Sequence, residues 1–260
     1  MSKIRIGVFG PTGKMGASVI DQLKNFKNLE LVSLCEEKNH KMIGKKISGI
    51  TVESNIEIFL NDLEVIIDFT TPSALLVLMN VIKKKKIKPA IVSGTTGYSS
   101  VQEKKFLEFS KGLTVLRSFN MSLGVNILKN LAKMASLNLA DLSDIEITES
   151  HHNMKRDVPS GTALTLADSI LEGSKTLRKL NYRKKASNSV RSKNEIGFTS
   201  IRGGDIVGEH TVFFFMDGER IELTHRATDR KIFSIGALRA AEWIAKKKPG
   251  FYSILDMIGC

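Results

Sequence analysis

The sequence predicts an α/β chain in two domains, the first wound around a parallel sheet and the second an α+β unit with a mostly antiparallel, mixed sheet. Three observations predict it. The first half alternates short apolar strands with amphipathic helices, the pattern of a parallel sheet covered on both faces. From Asp144 onward the strands alternate apolar and polar residues and follow one another with little helix between them. Helical periodicity then returns once, in KIFSIGALRAAEWIAKKK (Lys231 to Lys248), and Pro249-Gly250 stops it.

Taken in order, IRIGVFG (Ile4 to Gly10) is a strand and KMGASVIDQLKNF (Lys14 to Phe26) the helix after it. LELVSLCE is the next strand, ending at Glu36. EVIIDF (Glu64 to Phe69) is a buried strand, and a helix opens near Pro72, a favoured first-turn residue. AIVSG (Ala90 to Gly94) and LTVLRS (Leu113 to Ser118) are two more strands with a helix between them. A helix around Gly124 to Leu137 leads into DIEITES (Asp144 to Ser150), a half-exposed strand. EIGFTSIR, IVGEHTVFFFM and RIELTHRAT complete the second sheet, with Asp217-Gly218 as a hairpin turn, since both residues tolerate positive φ. A lone terminal helix needs an apolar surface to cover, so it is expected to return to the first domain. The division is therefore 1–122 completed by 229–260, with 123–228 as the second domain. The polar, basic segment Lys175 to Asn194 reads as a mobile surface excursion.

Composition sets bounds. A chain of 260 residues, 42% hydrophobic and 25% charged, has room for one large core or two modest ones. It has no run of about 18 apolar residues and no leader-like N-terminus, so no membrane partner is expected and the location is read as cytoplasmic. The two cysteines, Cys35 and Cys260, form neither a disulfide framework nor a zinc spacing. The net charge of +12 is spread along the chain. Its densest cluster, KKKKIK at Lys83 to Lys88, falls where a helix should end, and cations there complement the helix dipole. No nucleic-acid partner is expected; a positive surface does attract small polyanions.

The stretch GVFGPTGKMG places Gly7, Gly10, Gly13 and Gly16 between a strand and a helix. In that setting a glycine-rich turn lets phosphate reach the amides of a helix N-terminus. The spacing departs from G-x-G-x-x-G, since counting from Gly10 puts Thr12 and Met15 in the glycine places. Glu36 ends the next strand about twenty residues later, where a carboxylate can accept from an adenosine ribose. GTTGY (Gly94 to Tyr98) and SFNMSLGVN (Ser118 to Asn126) leave two further strand ends on the same sheet edge, where open parallel sheets bind ligands. The first domain is thus Rossmann-like and dinucleotide-binding.

In ESHHNMKRDVPSGTA (Glu149 to Ala163), His151 and His152 end an alternating strand, and their side chains start on opposite faces. A shared metal is awkward there, and HHNMK is not H-E-x-x-H, so no metal is expected. Histidine exchanges protons near neutral pH, and lysine serves as an acid or a cationic anchor. The pairs Ala163/Leu164, Leu166/Ala167 and Ile170/Leu171 mark one face of a helix starting near Ser160 or Gly161, whose first amides, at Gly161 and Thr162, can hold a carboxylate.

These residues carry a resemblance. ITESHHNMKRDVPSGTAL resembles the signature of the 4-hydroxy-tetrahydrodipicolinate reductase (dihydrodipicolinate reductase) family, and GPTGKMG, FTTPSAL, GTTGY, FNMSLGVN, RGGDIVGEHTV, GERIELTHRA and GALRAAEW follow in that family's order. The resemblance implies NADH or NADPH over Gly10, Pro11, Thr12, Gly13, Lys14 and Met15, with Glu36 on the adenosine ribose. It puts Gly94, Thr95, Thr96, Ser118, Phe119, Asn120 and Met121 at the nicotinamide end. It makes His151 the catalytic proton donor or acceptor and Lys155 the proton donor, and His152, Gly161 and Thr162 the substrate-carboxylate site. It further implies reduction of a cyclic dicarboxylate with loss of water in lysine and diaminopimelate biosynthesis, a homotetramer built through the second domain's sheet, and no metal; with the carboxylates held far from the nicotinamide-bearing domain, domain closure is expected to bring the reactants together.

Two departures matter. Glu37 stands where many members of the family carry a base for the 2′-phosphate of NADPH, which tilts the expected preference toward NADH, although Lys38 and Lys14 are near. Pro11-Thr12 occupies a turn where smaller residues are common. The competing readings are another two-domain nicotinamide dehydrogenase of amino-acid metabolism, which would lack HHxxKxD followed by PSGT, and a non-catalytic dinucleotide-sensing protein.

Overall fold

The computed structural model describes residues 2–174, 176, 178–182 and 190–259. In chain order the elements are β1 (Ile4–Phe9), α1 (Lys14–Gln22), β2 (Leu29–Cys35), β3 (Lys46–Ile47), β4 (Ile50–Glu53), α2 (Ile56–Phe59), β5 (Val65–Asp68), α3 (Pro72–Lys85), β6 (Ala90–Ser93), α4 (Ser100–Ser110) and β7 (Thr114–Arg117). They continue as α5 (Leu123–Leu139), β8 (Asp144–His151), α6 (Gly161–Gly173), β9 (Lys179–Asn181), β10 (Glu195–Arg202), β11 (Gly208–Met216), β12 (Glu219–Ala227), α7 (Lys231–Ile244), β13 (Gly250–Tyr252) and α8 (Ile254–Ile258). Two compact units result: Met1–Ser122 with Lys231–Cys260, and Leu123–Arg230.

The first unit holds an eight-stranded sheet in the order β13-β7-β6-β5-β1-β2-β4-β3, parallel throughout except for the β3–β4 pair. β5 and β6 are buried along their whole length, as continuous Val/Ile runs in a doubly covered sheet should be. α3 shows how sequence sets an element's limits. Thr71 caps it by accepting from the Ala74 N–H, Pro72 stands in its first turn, and Lys83, Lys84 and Lys85 face the negative end of its dipole. Lys86 then leaves the helix in the left-handed region at φ 55°. The core gathers Phe9, Phe59, Leu75, Leu78, Phe106 and Val115. Phe106 is fully buried, so its truncation to Ala would cost about 3–5 kcal/mol.

α7 belongs to this unit and packs on α1 and on the sheet. Its close approach depends on Gly236: a Cβ there would lie 1.8 Å from the Met121 carbonyl oxygen. The loop after β7 is thereby pressed onto α7, which matters for the site below.

The second unit holds a mixed five-stranded sheet, β12-β11-β8-β10-β9. β12–β11 and β11–β8 are antiparallel; β8–β10 and β10–β9 are parallel. The Asp217-Gly218 turn closes the β11–β12 hairpin, with Gly218 at φ 81° and Met216 opposite Glu219. One face of the sheet packs on α5 and α6 through Ile145, Ile147, Val212, Phe214, Leu166 and Ile170.

Part of the expected Lys175–Asn194 excursion is ordered structure. Lys179–Asn181 is the strand β9, and Arg178 is buried, donating to the Ala140 carbonyl and, at 2.8 Å, to the Lys193 carbonyl. Arg191 is anchored on Asp144 at 2.6 Å and Glu146 at 3.0 Å. Lys175, Leu177 and 183–189 lie outside the described residues.

Candidate active site

In the first unit, register gathers one ligand edge. Phe9 pairs with Cys35 and with Asp68, Asp68 with Ser93, and Ser93 with Arg117. All these strands run in one direction, so Gly10, Glu36, Phe69, Gly94 and Ser118 leave the sheet along a single row. This is the carboxyl edge at which open parallel sheets bind ligands.

The first turn brings the start of α1 close against the end of β1. Gly10 has φ +83°, and a Cβ on Gly16 would sit 2.1 Å from the Gly10 carbonyl oxygen, so only glycine lets α1 start this close to the turn. Gly13 caps α1 with no side-chain acceptor on its first-turn amides, and Lys14 stands exposed beside it. Pro11 is buried and stiffens the turn. Thr12 donates twice to Glu36 Oε2, through its N–H at 3.2 Å and its hydroxyl at 2.6 Å, and the Glu37 N–H donates to Oε1 at 3.0 Å. Burial opposes ionisation of Glu36, but these donors win and hold its carboxyl below the usual range. A cavity of about 770 Å³ opens here, lined by Gly10, Thr12, Gly13, Glu36, Glu37 and Lys38 among others.

A second cavity of about 240 Å³ is lined by Met15, Phe69, Gly94, Phe119, Met121 and Phe233 among others. Its walls are held by spent polar groups. Ser118 Oγ donates to the Asn120 carbonyl at 2.7 Å, and the Ser122 N–H donates to Asn120 Oδ1 at 2.9 Å. Phe119 is exposed and Met121 buried. Thr95 is also buried, its hydroxyl donating to Asp68 Oδ2 at 2.7 Å, while Thr96 is exposed. Asp68, which sequence reasoning passed over, organises this edge. It is fully buried and accepts from Thr70 at 2.6 Å, Ser93 at 2.7 Å and Thr95, and burial pushes its pKa up against those donors. Its backbone neighbours gave no sign of the convergence, because Ser93 ends the neighbouring strand β6 and Thr95 lies just beyond it.

In the second unit, the alternation of β8 puts Glu149 and His151 on its buried side. His151 Nδ1 lies 2.5 Å from Glu149 Oε2. Arg202, opposite His151 in the β8–β10 register, grips the same carboxylate with both guanidinium ends at 2.7 and 2.8 Å. The Ser160 N–H adds a fourth contact at 3.3 Å. Burial works against the Glu149 charge, yet these donors hold its carboxyl far below the ordinary carboxylate range.

His210, opposite Glu149 on β11, packs edge-on against the His151 ring at 5.1 Å between centroids, with Nε2 3.0 Å from Ser160 Oγ. Burial first, then the neighbouring His151, push its pKa down to about 3, so it is neutral at pH 7. Ser160 also caps α6 by accepting from the Ala163 N–H, which leaves Gly161, with open space around its Cα, and Thr162 at the helix start.

The turn after β8 is set by the loop that follows β10: the His152 N–H donates to the Ile206 carbonyl at 2.7 Å, and the Gly203 N–H to the His151 carbonyl at 3.0 Å. His152 is half-buried, with Nε2 3.2 Å from the Arg230 guanidinium. Lys155 Nζ donates to Asp157 Oδ1 at 2.8 Å, and that hydrogen bond lowers the Asp157 pKa. His151, His152, Lys155, Gly161 and Thr162 therefore belong to one short β8–α6 connection. Glu149, Arg202, His210, Asp157 and Arg230 were missed as partners; only Glu149, two residues before His151 on an alternating strand, carried a local signal. Among the described residues, no three of His, Cys, Asp and Glu gather as metal ligands, and no helix is long and apolar enough to cross a membrane.

A glycine turn feeding a helix N-terminus, a carboxylate at the end of β2 and a cluster of histidines and a lysine after β8 fit an oxidoreductase that uses a nicotinamide dinucleotide. Comparison with known proteins specifies it. Residues 4–121 match "Dihydrodipicolinate reductase, N-terminus" and residues 124–258 match "Dihydrodipicolinate reductase, C-terminus". The chain is 41% identical to 4-hydroxy-tetrahydrodipicolinate reductase of Pelagibacter ubique, over 99% of each chain. It is 42% identical to that of Aquifex aeolicus, over 98% of this chain and 99% of the other. A dipicolinate-bound dihydrodipicolinate reductase from Paenisporosarcina sp. TG-14 shares the fold, with TM-score 0.80 at 23% identity over 98% and 99% of the two chains. The chain belongs to the dihydrodipicolinate reductase family of NAD(P)H-dependent oxidoreductases.

Proposed function

We propose that this chain reduces 4-hydroxy-tetrahydrodipicolinate to tetrahydrodipicolinate in lysine and diaminopimelate biosynthesis, with NADH as its preferred donor. One hydride and one proton enter the ring and one water leaves. The carrying observation is the single connection that holds His151, His152, Lys155 and the α6 N-terminus together. A ring dianion is the ligand that such a set of N–H donors around a lysine suits.

The fit of the first unit to a dinucleotide rests on the Gly10–Gly16 approach and the uncapped first turn of α1. The amides of Gly13, Lys14 and Met15 would take the pyrophosphate, with Gly10, Pro11 and Thr12 shaping the turn and Glu36 taking the ribose hydroxyls. Gly94, Thr95, Thr96, Ser118, Phe119, Asn120 and Met121 would wall the nicotinamide end, mainly by backbone and apolar surface. When bound, the dinucleotide supplies the hydride. Glu37 is exposed at the rim of the cavity, where its charge opposes a 2′-phosphate.

His152, Arg230, Gly161 and Thr162 would hold the ring carboxylates. Charge that develops on the ring beside its C=N is closed by a proton from His151 or Lys155. Donors aimed where charge develops are worth about 10²–10³ in rate each. The assembly we propose is a homotetramer through the sheet face turned away from α5 and α6, where Ile201 is 49% and Phe215 37% exposed; the reaction would take place in the cytoplasm. The alternatives lose ground to family membership: a different dehydrogenase would lack the β8–α6 signature, and a sensor has no use for an acid–base pair.

The test is NADH and NADPH oxidation with freshly made synthase product as substrate. Turnover with a higher kcat/KM for NADH supports the reading. Absence of turnover with either donor rejects it, and a hundredfold NADPH preference rejects the cofactor assignment.

A further inference from the structure

We infer that Glu149 is a positioning residue for His151, fixing which imidazole nitrogen faces the substrate ring. The inference rests on the proposed acid–base role of His151. An ionised carboxylate only accepts hydrogen bonds, so the 2.5 Å contact requires the proton on His151 Nδ1. The nitrogen left for chemistry is then Nε2. Gly208 lies beside it: a Cβ there would stand 3.0 Å from Nε2, so the glycine keeps that side of the ring clear. The carboxylate cannot turn away, because Arg202 grips both its oxygens at 2.7 and 2.8 Å and the Ser160 amide adds a contact at 3.3 Å.

The geometry separates positioning from a plain ion pair. A buried Arg202–Glu149 pair would be complete with its two guanidinium contacts. Here the same oxygen that Arg202 Nη1 touches also receives the imidazole, and the other receives the amide that starts α6. One side chain thus sets the His151 tautomer and the placement of the helix end that carries Gly161 and Thr162. Arg202 keeps the buried carboxylate compensated, which leaves its interaction with His151 as an orientation and not an uncompensated negative charge.

The experiment compares H151Q, E149Q and E149Q/H151Q by kcat and by KM for the ring substrate. E149Q is expected to lower kcat about a hundredfold or more, in the manner of a wrong-tautomer variant, with a much smaller change in KM. The double variant is expected to be no slower than H151Q alone, within about threefold, because residues acting as one unit do not add. Losses that multiply in the double variant would overturn the positioning role while leaving His151 catalytic. Full turnover in H151Q would overturn the acid–base reading itself and the proposal with it. Should E149Q fail to fold, heteronuclear NMR of the His151 ring in the unaltered protein decides: a neutral ring protonated at Nδ1 supports the inference, and one protonated at Nε2 overturns it.

Discussion

Thr12 and Glu36 are joined twice, the threonine N–H and hydroxyl both donating to the same carboxylate oxygen at 3.2 and 2.6 Å. Thr12 stands where the glycine fingerprint has a glycine, so the departure from the motif aims the Glu36 carboxylate, for which we propose the ribose hydroxyls as ligand. Hydrogen bonds to charged groups are worth about 1.5–3 kcal/mol. T12V keeps the shape and the N–H but loses the hydroxyl. Its KM for NADH should rise about tenfold with kcat nearly unchanged, as read by initial rates at saturating ring substrate.

Lys155 contacts Asp157 and no residue of the first unit's glycine turn is needed to place it. K155A should lower kcat about 10²-fold or more, while NADH affinity, read by fluorescence of the reduced ring, stays the same. Equal losses in both would contradict the assignment of Lys155 to the substrate.

Acid should loosen the second unit in two steps of the same sign. His210 is held down to about 3 from 6.5, so the unfolded chain takes this proton long before the native one does. The stability it contributes is complete above 6.5 and is lost as pH falls toward about 3. Glu149, depressed below its ordinary 4.5, adds stability that is present above that value and lost as pH falls further. Between about pH 6.5 and 5 the His210 contribution alone changes by about 2 kcal/mol. Calorimetric Tm should fall across that interval, and H210Q should flatten the fall. An equally steep fall in H210Q would show that His210 is not its source.

E37K replaces the rim carboxylate with a cation in the cavity that Glu36 also lines. The ratio of kcat/KM for NADPH to that for NADH should rise about tenfold, the effect of roughly 1.4 kcal/mol. Raising salt should diminish the gain, because the site is open to solvent. An unchanged ratio would remove Glu37 from the discrimination.

Much of this was legible in the sequence because the signals are local. Buried strands such as β5 and β6 read as continuous apolar runs, and α3 carries its own cap, proline and terminal lysines. β3, β4 and β13 escaped notice because two to four residues cannot display a period. β9 was hidden in a basic segment whose partner strand lies across a parallel pairing. The site divided the same way. The β8–α6 connection could be read as a string, whereas Arg202 opposite His151 and His210 opposite Glu149 depend on strand register, which is set by the whole sheet. Thr95 shows the limit at a single residue: the motif points to the crevice, but the hydroxyl turns inward to Asp68.

The most direct test of the account is a single turnover of the enzyme bound to NADH deuterated at the transferring position, mixed with the ring substrate and analysed by mass spectrometry. The account predicts one deuterium in the tetrahydrodipicolinate formed, at a rate that collapses in H151Q and K155A. Oxidised dinucleotide with no label in the ring, or undiminished transfer in both variants, would contradict it.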